Sequence, residues 1–469
     1  MERLFHSVIQ LFPVINHKKL VMKNLYIMIS FCVLCLWAEP PLVWKQPADF
    51  NPKTAGLGLS PLEGVEIQDL YKPLVSHADP TEGGNGHYES VLHGTYNHHP
   101  QIAVIDDQVI VYWTNHVRDE NGPGQRMLAR IGRFTADGGV DWGSPKDIVE
   151  IAPPATAAAL RPTDDRGEVV SGLSLNGSFL LINGRLFLRG LLFFCDGWTD
   201  TPLYHSQNTK PVPDEHYRSG RDRQYRFDIY WRVVTFVQEW KLEDGRLKEA
   251  SPMYFQGTPM TECQITPTIR KRMPLLNAPY ATARPFSEAS EDFRNTLKGK
   301  PVEFMRVPKY APNTMKNAAD GLNGLAHYTE FSRPDGKYVV VRDNLLATQT
   351  YYAAAKEHKD DVYPPAEKTN LFGTAMPVAG ELPDGTVWLV GSDASRQNAF
   401  ITWSRDGVTF DKTKLLLHVS YEATPGLCKG KRGGTQYFKA FSKGDNIWLV
   451  CSVAKEKVSL IHIPIQVLK

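Results

Sequence analysis

An excess of charge of one sign is the first thing this chain lacks. Its 53 basic and 51 acidic residues leave a net charge of +2, and no basic run stands out, which argues against a nucleic-acid partner. Long helical periodicity is also missing, so the repeating element has to be the strand. There is no glycine-rich phosphate loop, no serine-nucleophile elbow and no dinucleotide fingerprint. Paired carboxylates suited to ordinary glycoside hydrolysis are hard to nominate, because Asp119-Glu120 and Asp164-Asp165 both read as polar loops. Cysteine is sparse. Of six, Cys32 and Cys35 lie in the N-terminal leader, and Cys195, Cys263, Cys428 and Cys451 remain. Four can pair in a secreted chain, but Cys195 and Cys451 sit in apolar strand patterns, where a buried free thiol is the favoured reading.

The 469 residues suffice for one large all-β unit, and 36 glycines, 33 prolines and 11% aromatics give a turn-rich composition with material for a core. The N-terminus reads as a secretory leader over residues 1–38. Lys18, Lys19 and Lys23 precede the apolar run Leu25–Trp37, which is short for a bilayer span, and Ala38-Glu39-Pro40 follows. Met22 offers an alternative start. A lipidated Cys35 is less favoured, because bulky Leu34 precedes it. The expectation is a secreted or periplasmic monomer with no membrane span once the leader is removed, and a single domain over 39–469.

One pattern recurs through that domain: a polar turn with Gly or Asp, then a short strand of β-branched and aromatic residues. It occurs at Asp106–Trp113, Asn183–Leu188, Asp335–Val341, Asp384–Val390 and Gly444–Val450. The last three copies lie about fifty to sixty residues apart, near the length of a four-stranded propeller blade. The most specific copy of the turn is Ser404-Arg405-Asp406-Gly407-Val408-Thr409-Phe410. There Asp406 and Ser404 can bond a tight turn, Gly407 supplies a φ other residues resist, and Phe410 can plug between sheets. Thr135–Trp142 is a looser version, and Leu242–Arg246 is a plain hairpin turn. A polar, proline-spiced stretch over 266–323 reads as an insertion or long loop with one helix near Glu288–Leu297. At the end, Asn446–Val453 and Lys457–Pro464 read as a strand pair, to which the N-terminal region is expected to add a strand that closes the ring.

The turn at 404–410 is an Asp-box, and with it the chain resembles secreted sialidase-like β-propeller proteins. The stretches His98-His99-Pro100-Gln101-Ile102, Trp113-Thr114-Asn115-His116, Gly122-Pro123-Gly124-Gln125, Trp403–Phe410 and Ser452-Val453-Ala454-Lys455-Glu456 are similar to those of ulvan lyases and rhamnosyl-glucuronate lyases. The likeness is good over 93–142 and 327–465 and poor over 143–326. It implies an all-β, seven-bladed propeller, with six blades as the alternative. True sialidases carry an Arg-Ile-Pro element before the first Asp-box, and this chain has none there. The Asp-box itself says little about chemistry.

The densest run of functional side chains is His93–Pro100, followed by His116. Histidine exchanges protons near neutral pH. In an extended strand His98 and His99 would point to opposite faces, and an antiparallel return would bring His98 and His116 to the same end of a blade. A satisfied structural histidine is the competing reading, and a metal site is disfavoured for want of further ligands. Lyase chemistry needs a cation to neutralise the uronate carboxylate, a base for the C5 proton and an acid for the departing O4. In the lyases this chain resembles, histidines, a tyrosine and an arginine fill these roles. The resemblance thus implies catalytic roles for His98, His116, Tyr217 and Arg232, with Tyr225, Arg226 and Tyr230 as rivals. His99, Arg284 and Arg342 are candidate substrate contacts, Arg396 is another candidate for the funnel, and Trp113, Trp198 and Trp231 are stacking candidates or wedges between blades. No cofactor is required on this reading. A structural calcium is an option with no residues assigned. The expected partner is an acidic polysaccharide, cleaved by β-elimination. Hydrolysis on the same scaffold and glycan binding without catalysis stay open as alternatives.

Overall fold

The computed structural model describes residues 42–73, 94–116, 125–144, 147–151, 171–196, 230–256, 284–299, 325–334, 336–343, 349–356, 366–420 and 433–469. Alternating apolar residues between tight turns make strand the dominant element among them. In chain order they are β1 (Val43–Trp44), β2 (Glu66–Tyr71), β3 (Tyr96–Ile105), β4 (Gln108–His116), β5 (Arg126–Phe134), β6 (Val140–Asp141) and β7 (Ile148–Glu150). Next come β8 (Ser171–Ile182), β9 (Arg185–Asp196), β10 (Tyr230–Glu243), β11 (Arg246–Glu249), β12 (Tyr254–Gln256) and β13 (Arg284–Pro285). After helix α1 (Glu291–Leu297) follow β14 (Leu325–Arg333), β15 (Gly336–Asp343), β16 (Thr350–Lys356), β17 (Glu367–Phe372), β18 (Val378–Glu381), β19 (Val387–Ser392), β20 (Asn398–Ser404), β21 (Thr409–Phe410) and β22 (Lys412–His418). The last three are β23 (Thr435–Lys443), β24 (Asn446–Val453) and β25 (Lys457–Pro464).

Hydrogen bonding sorts most of them into five sheets of four or more strands among the described residues. Three have the orders β14-β15-β16-β17, β18-β19-β20-β22 and β2-β25-β24-β23; β3 to β7 and β8 to β13 form the other two. β2 pairs antiparallel with β25, so an early strand completes the sheet built from the end of the chain. The terminal strand pair has the bounds expected from the sequence. Helix α1 lies within the expected helical stretch, capped by Ser290, whose side chain accepts from the Phe293 amide.

Each sheet buries both faces, and the core lies between neighbouring sheets. In β24, Ile447, Leu449, Cys451 and Val453 pack toward β18–β22, while Trp448 and Val450 pack toward β3–β7. In β19 the same alternation sends Trp388 and Val390 one way and Val387 and Leu389 toward β14–β17. Period-two alternation with apolar residues on both faces is what stacked blades demand. Cys451 is fully buried and free, and burial pushes its thiol up to about 12.

The Asp-box performs as its residues promise. Asp406 Oδ1 accepts from the Ser404 hydroxyl at 2.7 Å and from the Val408 and Thr409 amides at 2.8 and 2.6 Å. Gly407 has φ +69°, and a Cβ there would lie 2.5 Å from the Arg333 side chain. Phe410 is fully buried between β14–β17 and β18–β22. The Thr135–Trp142 turn repeats the scheme: Asp137 accepts from Thr135 and from the Gly139 amide, and Trp142 is buried.

Candidate active site

β3 and β23, edge strands of two neighbouring sheets, run in the same sense. At one end of β3 and β23, His98 Nδ1 lies 3.0 Å from Ser452 Oγ; at the other end, Lys443 Nζ donates to the Asp106 carbonyl at 2.7 Å. The His98 end therefore gathers the starts of β3 and β23, the β19–β20 loop and the β24–β25 turn on one face.

Both strands bulge there. The β3–β4 register slips between His98 and Gln101, and the β23–β24 register slips between Gln436 and Lys439. At the bulges His99 has φ +50° and Tyr437 has φ +55°. The bulge overturns the expectation of opposite faces: the rings of His98 and His99 lie 4.2 Å apart, centroid to centroid. Tyr437 packs 4.3 Å from His98 and 4.9 Å from His99. His99 and Tyr437 are half-buried, whereas His98 is wholly buried behind them.

A third blade contributes Arg396, in the β19–β20 loop. Asp393 shapes this loop by accepting from the Ser395 hydroxyl at 2.6 Å and the Asn398 side-chain amide at 2.9 Å. Arg396 has φ +62°, its carbonyl accepts from the Thr435 amide at 2.6 Å, and its guanidinium donates to Gln436 Oε1 at 2.5 Å. Gly434 permits this approach, since a Cβ there would lie 2.0 Å from the Arg396 carbonyl oxygen. On the other side, the β24–β25 turn places Lys455 Nζ 5.8 Å from the centre of the Tyr96 ring. Among the described residues nine non-glycine residues have positive φ, and five of them, His99, Arg396, Tyr437, Ala454 and Lys455, are on this face. Left-handed backbone at such residues costs on the order of 1–3 kcal/mol each and persists where the surroundings enforce it, commonly at functional sites.

The remaining sequence candidates fare differently. His116 ends β4 opposite Tyr96 and is buried at the same end of the sheet as His98. Tyr217, Trp198 and His93 lie outside the described residues. Arg232 and Arg342 stand opposite Phe193 and Ala326, at the ends of their sheets away from the β8–β9 and β14–β15 turns, the ends that correspond to His98. Arg284 is not brought to the histidines: it is exposed on β13, an edge strand of its sheet, with β12, β10 and β9 between it and the opposite edge strand β8. Trp113 is fully buried and donates to Asn97 Oδ1 at 2.9 Å, so it is a wedge between blades and not a sugar platform. Tyr437 escaped the sequence reading. Its only signal is the pair Gly433-Gly434 ahead of an otherwise ordinary strand. Among the described residues no group of three or more His, Cys, Asp or Glu is placed to hold a metal ion, and no helix is long and apolar enough to cross a membrane.

No protein-family model and no curated protein sequence matches the chain. Among solved structures it is similar to one described as a sialidase, with a TM-score of 0.56 and 18% identity over 91% of this chain. The fold is sialidase-like. The chain spans about a third of that protein's length, 35%. Looser likenesses are to a Trypanosoma rangeli sialidase in complex with 2,3-difluorosialic acid (TM-score 0.43, 10% identity, 86% of this chain and 59% of that one) and to an intramolecular trans-sialidase from Ruminococcus gnavus (TM-score 0.42, 10% identity, 82% and 98%).

Proposed function

We propose that this chain is a secreted enzyme that cleaves an acidic polysaccharide, using the face where His99, Tyr437 and Arg396 meet on a closed propeller of seven blades, six being the alternative. The observation that carries this reading is the packing of an imidazole and a phenol from two neighbouring sheets, His99 and Tyr437 4.9 Å apart, with the Arg396 guanidinium of a third sheet bonded to Gln436 beside Tyr437, all three residues on left-handed backbone.

On this reading the anionic sugar sits over His99 and Tyr437, with Arg396 toward its carboxylate; Arg232 and Arg342 are further candidates for that contact. An arginine fork suits a carboxylate and holds the charge that develops beside it. We assign β-elimination as the reaction, because the site offers an imidazole–phenol pair that can take one proton and give another. One of the pair takes the C5 proton. The electrons of that bond form C4=C5, the bond from C4 to O4 breaks, and the other group protonates O4. The burial of His98 and His116 gives them supporting roles behind the groups that meet substrate. Tyr217 stays a rival for the tyrosine.

Hydrolysis is the second reading, favoured by the likeness to a sialidase fold. Incubation with a panel of glucuronate- and iduronate-containing polysaccharides separates the two. Elimination yields products with a new ultraviolet absorbance; hydrolysis yields new reducing ends without it. A protein that binds these glycans and releases neither product contradicts both.

A further inference from the structure

The residue beside the two histidines has no counterpart among the groups assigned to the chemistry. Asn97 is fully buried, and every hydrogen-bonding position of its side chain is engaged. Its Nδ2 donates to the Gly94 carbonyl at 3.0 Å and to the Glu456 carbonyl at 2.7 Å. Its Oδ1 accepts from Trp113 Nε1 at 2.9 Å and Asn115 Nδ2 at 2.8 Å. Its backbone amide donates to the Lys455 carbonyl at 2.6 Å. One side chain thus fastens β3 to β4 and to the β24–β25 turn immediately before the bulge at His99.

That turn is itself unusual. Ala454 and Lys455 have φ +54° and +55°, in a position where Gly or Asn is the common choice. The turn is anchored at both ends, since the Ala454 amide donates to the Gly434 carbonyl at 2.7 Å while Lys455 and Glu456 present their carbonyls to Asn97. Gly434 belongs to the segment that leads into Tyr437. The turn therefore reaches both bulged strands, one through Asn97 and the other through Gly434.

We infer that Asn97 is a positioning residue: docked on the β24–β25 turn, it sets the His99 bulge against the Tyr437 bulge and so fixes the distance between the imidazole and the phenol. The inference rests on the proposed site but not on the identity of its reaction. An aspartate at 97 keeps the shape and loses both donors, leaving a carboxylate oxygen against two carbonyls. A misplacement of about 1 Å in a catalytic pair can lower turnover by on the order of 100-fold.

The test uses the full chain with Asn97→Asp, Asn97→Ala and a third variant that inserts one glycine after Lys455. The insertion leaves Asn97 intact and moves its acceptors, so it keeps the test informative should substitutions in the buried network fail to fold. Imidazole resonances of histidine-labelled protein report ring environment without any substrate. All folded variants are expected to shift the His98 and His99 signals and leave those of His418 and His462 in place. On a glucuronate-containing polysaccharide the expected kinetic effect is a fall in kcat of about 10- to 100-fold with KM nearly unchanged. Unmoved His98 and His99 signals in a folded variant overturn the inference, whatever the activity. Shifted signals in a protein whose wild type cleaves nothing uphold the inference and overturn the proposed function.

Discussion

At the scale of single residues, the candidate site is a matter of which side of a strand a ring leaves from. The run His98-His99 was legible as one histidine for the site and one for packing, with His98 and His116 as the proton-exchanging pair, but its geometry was not, because a bulge is invisible to a period-two reading. The slip between His98 and Gln101 turns both rings to one side and puts His98 behind His99. Tyr437 was illegible for the same reason: its bulge lies in a strand that otherwise reads as ordinary blade. If His99 and Tyr437 carry the chemistry, His99→Ala and Tyr437→Phe should each lower kcat by ~100- to 10,000-fold, the range for losing a general acid or base. Arg284→Ala should leave kcat and KM unchanged, since Arg284 is exposed on an edge strand of another sheet. Steady-state kinetics on the active polysaccharide checks all three.

The Asp-box turn gives a pH prediction at the same scale. Burial would raise the Asp406 carboxyl, but the Thr409 amide, the Ser404 hydroxyl and the Val408 amide outweigh it and hold the group at about 2. Its folded value is thus depressed below the ordinary carboxylate value of ~3.9. The stability it contributes is fully present above that ordinary value and is lost as pH falls through about 2. Asp406→Asn removes this dependence. The difference in melting temperature between wild type and Asp406→Asn should be constant above ~pH 5 and narrow steadily on acidification.

At the scale of elements, the turns and strands were the most legible part of the chain, because local chemistry decides them. Asp106, Asn183 and Asp244 each take left-handed backbone where the sequence announced a hairpin. Phe410 lies where the Asp-box motif places it, between two sheets, and Phe410→Ala should cost about 3–5 kcal/mol in denaturant unfolding. Gly434 was legible only as a glycine. Its role depends on Arg396, which comes from a different sheet and is brought there by the fold. Gly434→Ala forces a Cβ onto the Arg396 carbonyl and a left-handed φ onto alanine. It should destabilise by at least ~1–3 kcal/mol and lower kcat as well, because the segment it anchors carries Tyr437.

At the scale of the whole molecule, repetition of one hairpin pattern announced a blade architecture, and the sheets and their shared cores bear that out. Which blades neighbour which was not legible, and the site depends on that order. His99 meets Tyr437, and Arg396 meets the strand that carries Tyr437, because three sheets stand side by side. The pairing of β2 with β25 also belongs to this scale, since it ties residues 66–71 to the end of the chain. A scaffold of this kind fixes where a site forms and leaves its reaction to the residues placed there.

Products released from a glucuronate-containing polysaccharide by the wild-type protein and by Tyr437→Phe, followed by ultraviolet absorbance and by reducing ends, test the central claim most directly. The account predicts cleavage by the wild type with a rise in absorbance and a loss of at least ~100-fold in the variant. Equal rates of cleavage by the two proteins would contradict it, and so would a wild type that releases no product.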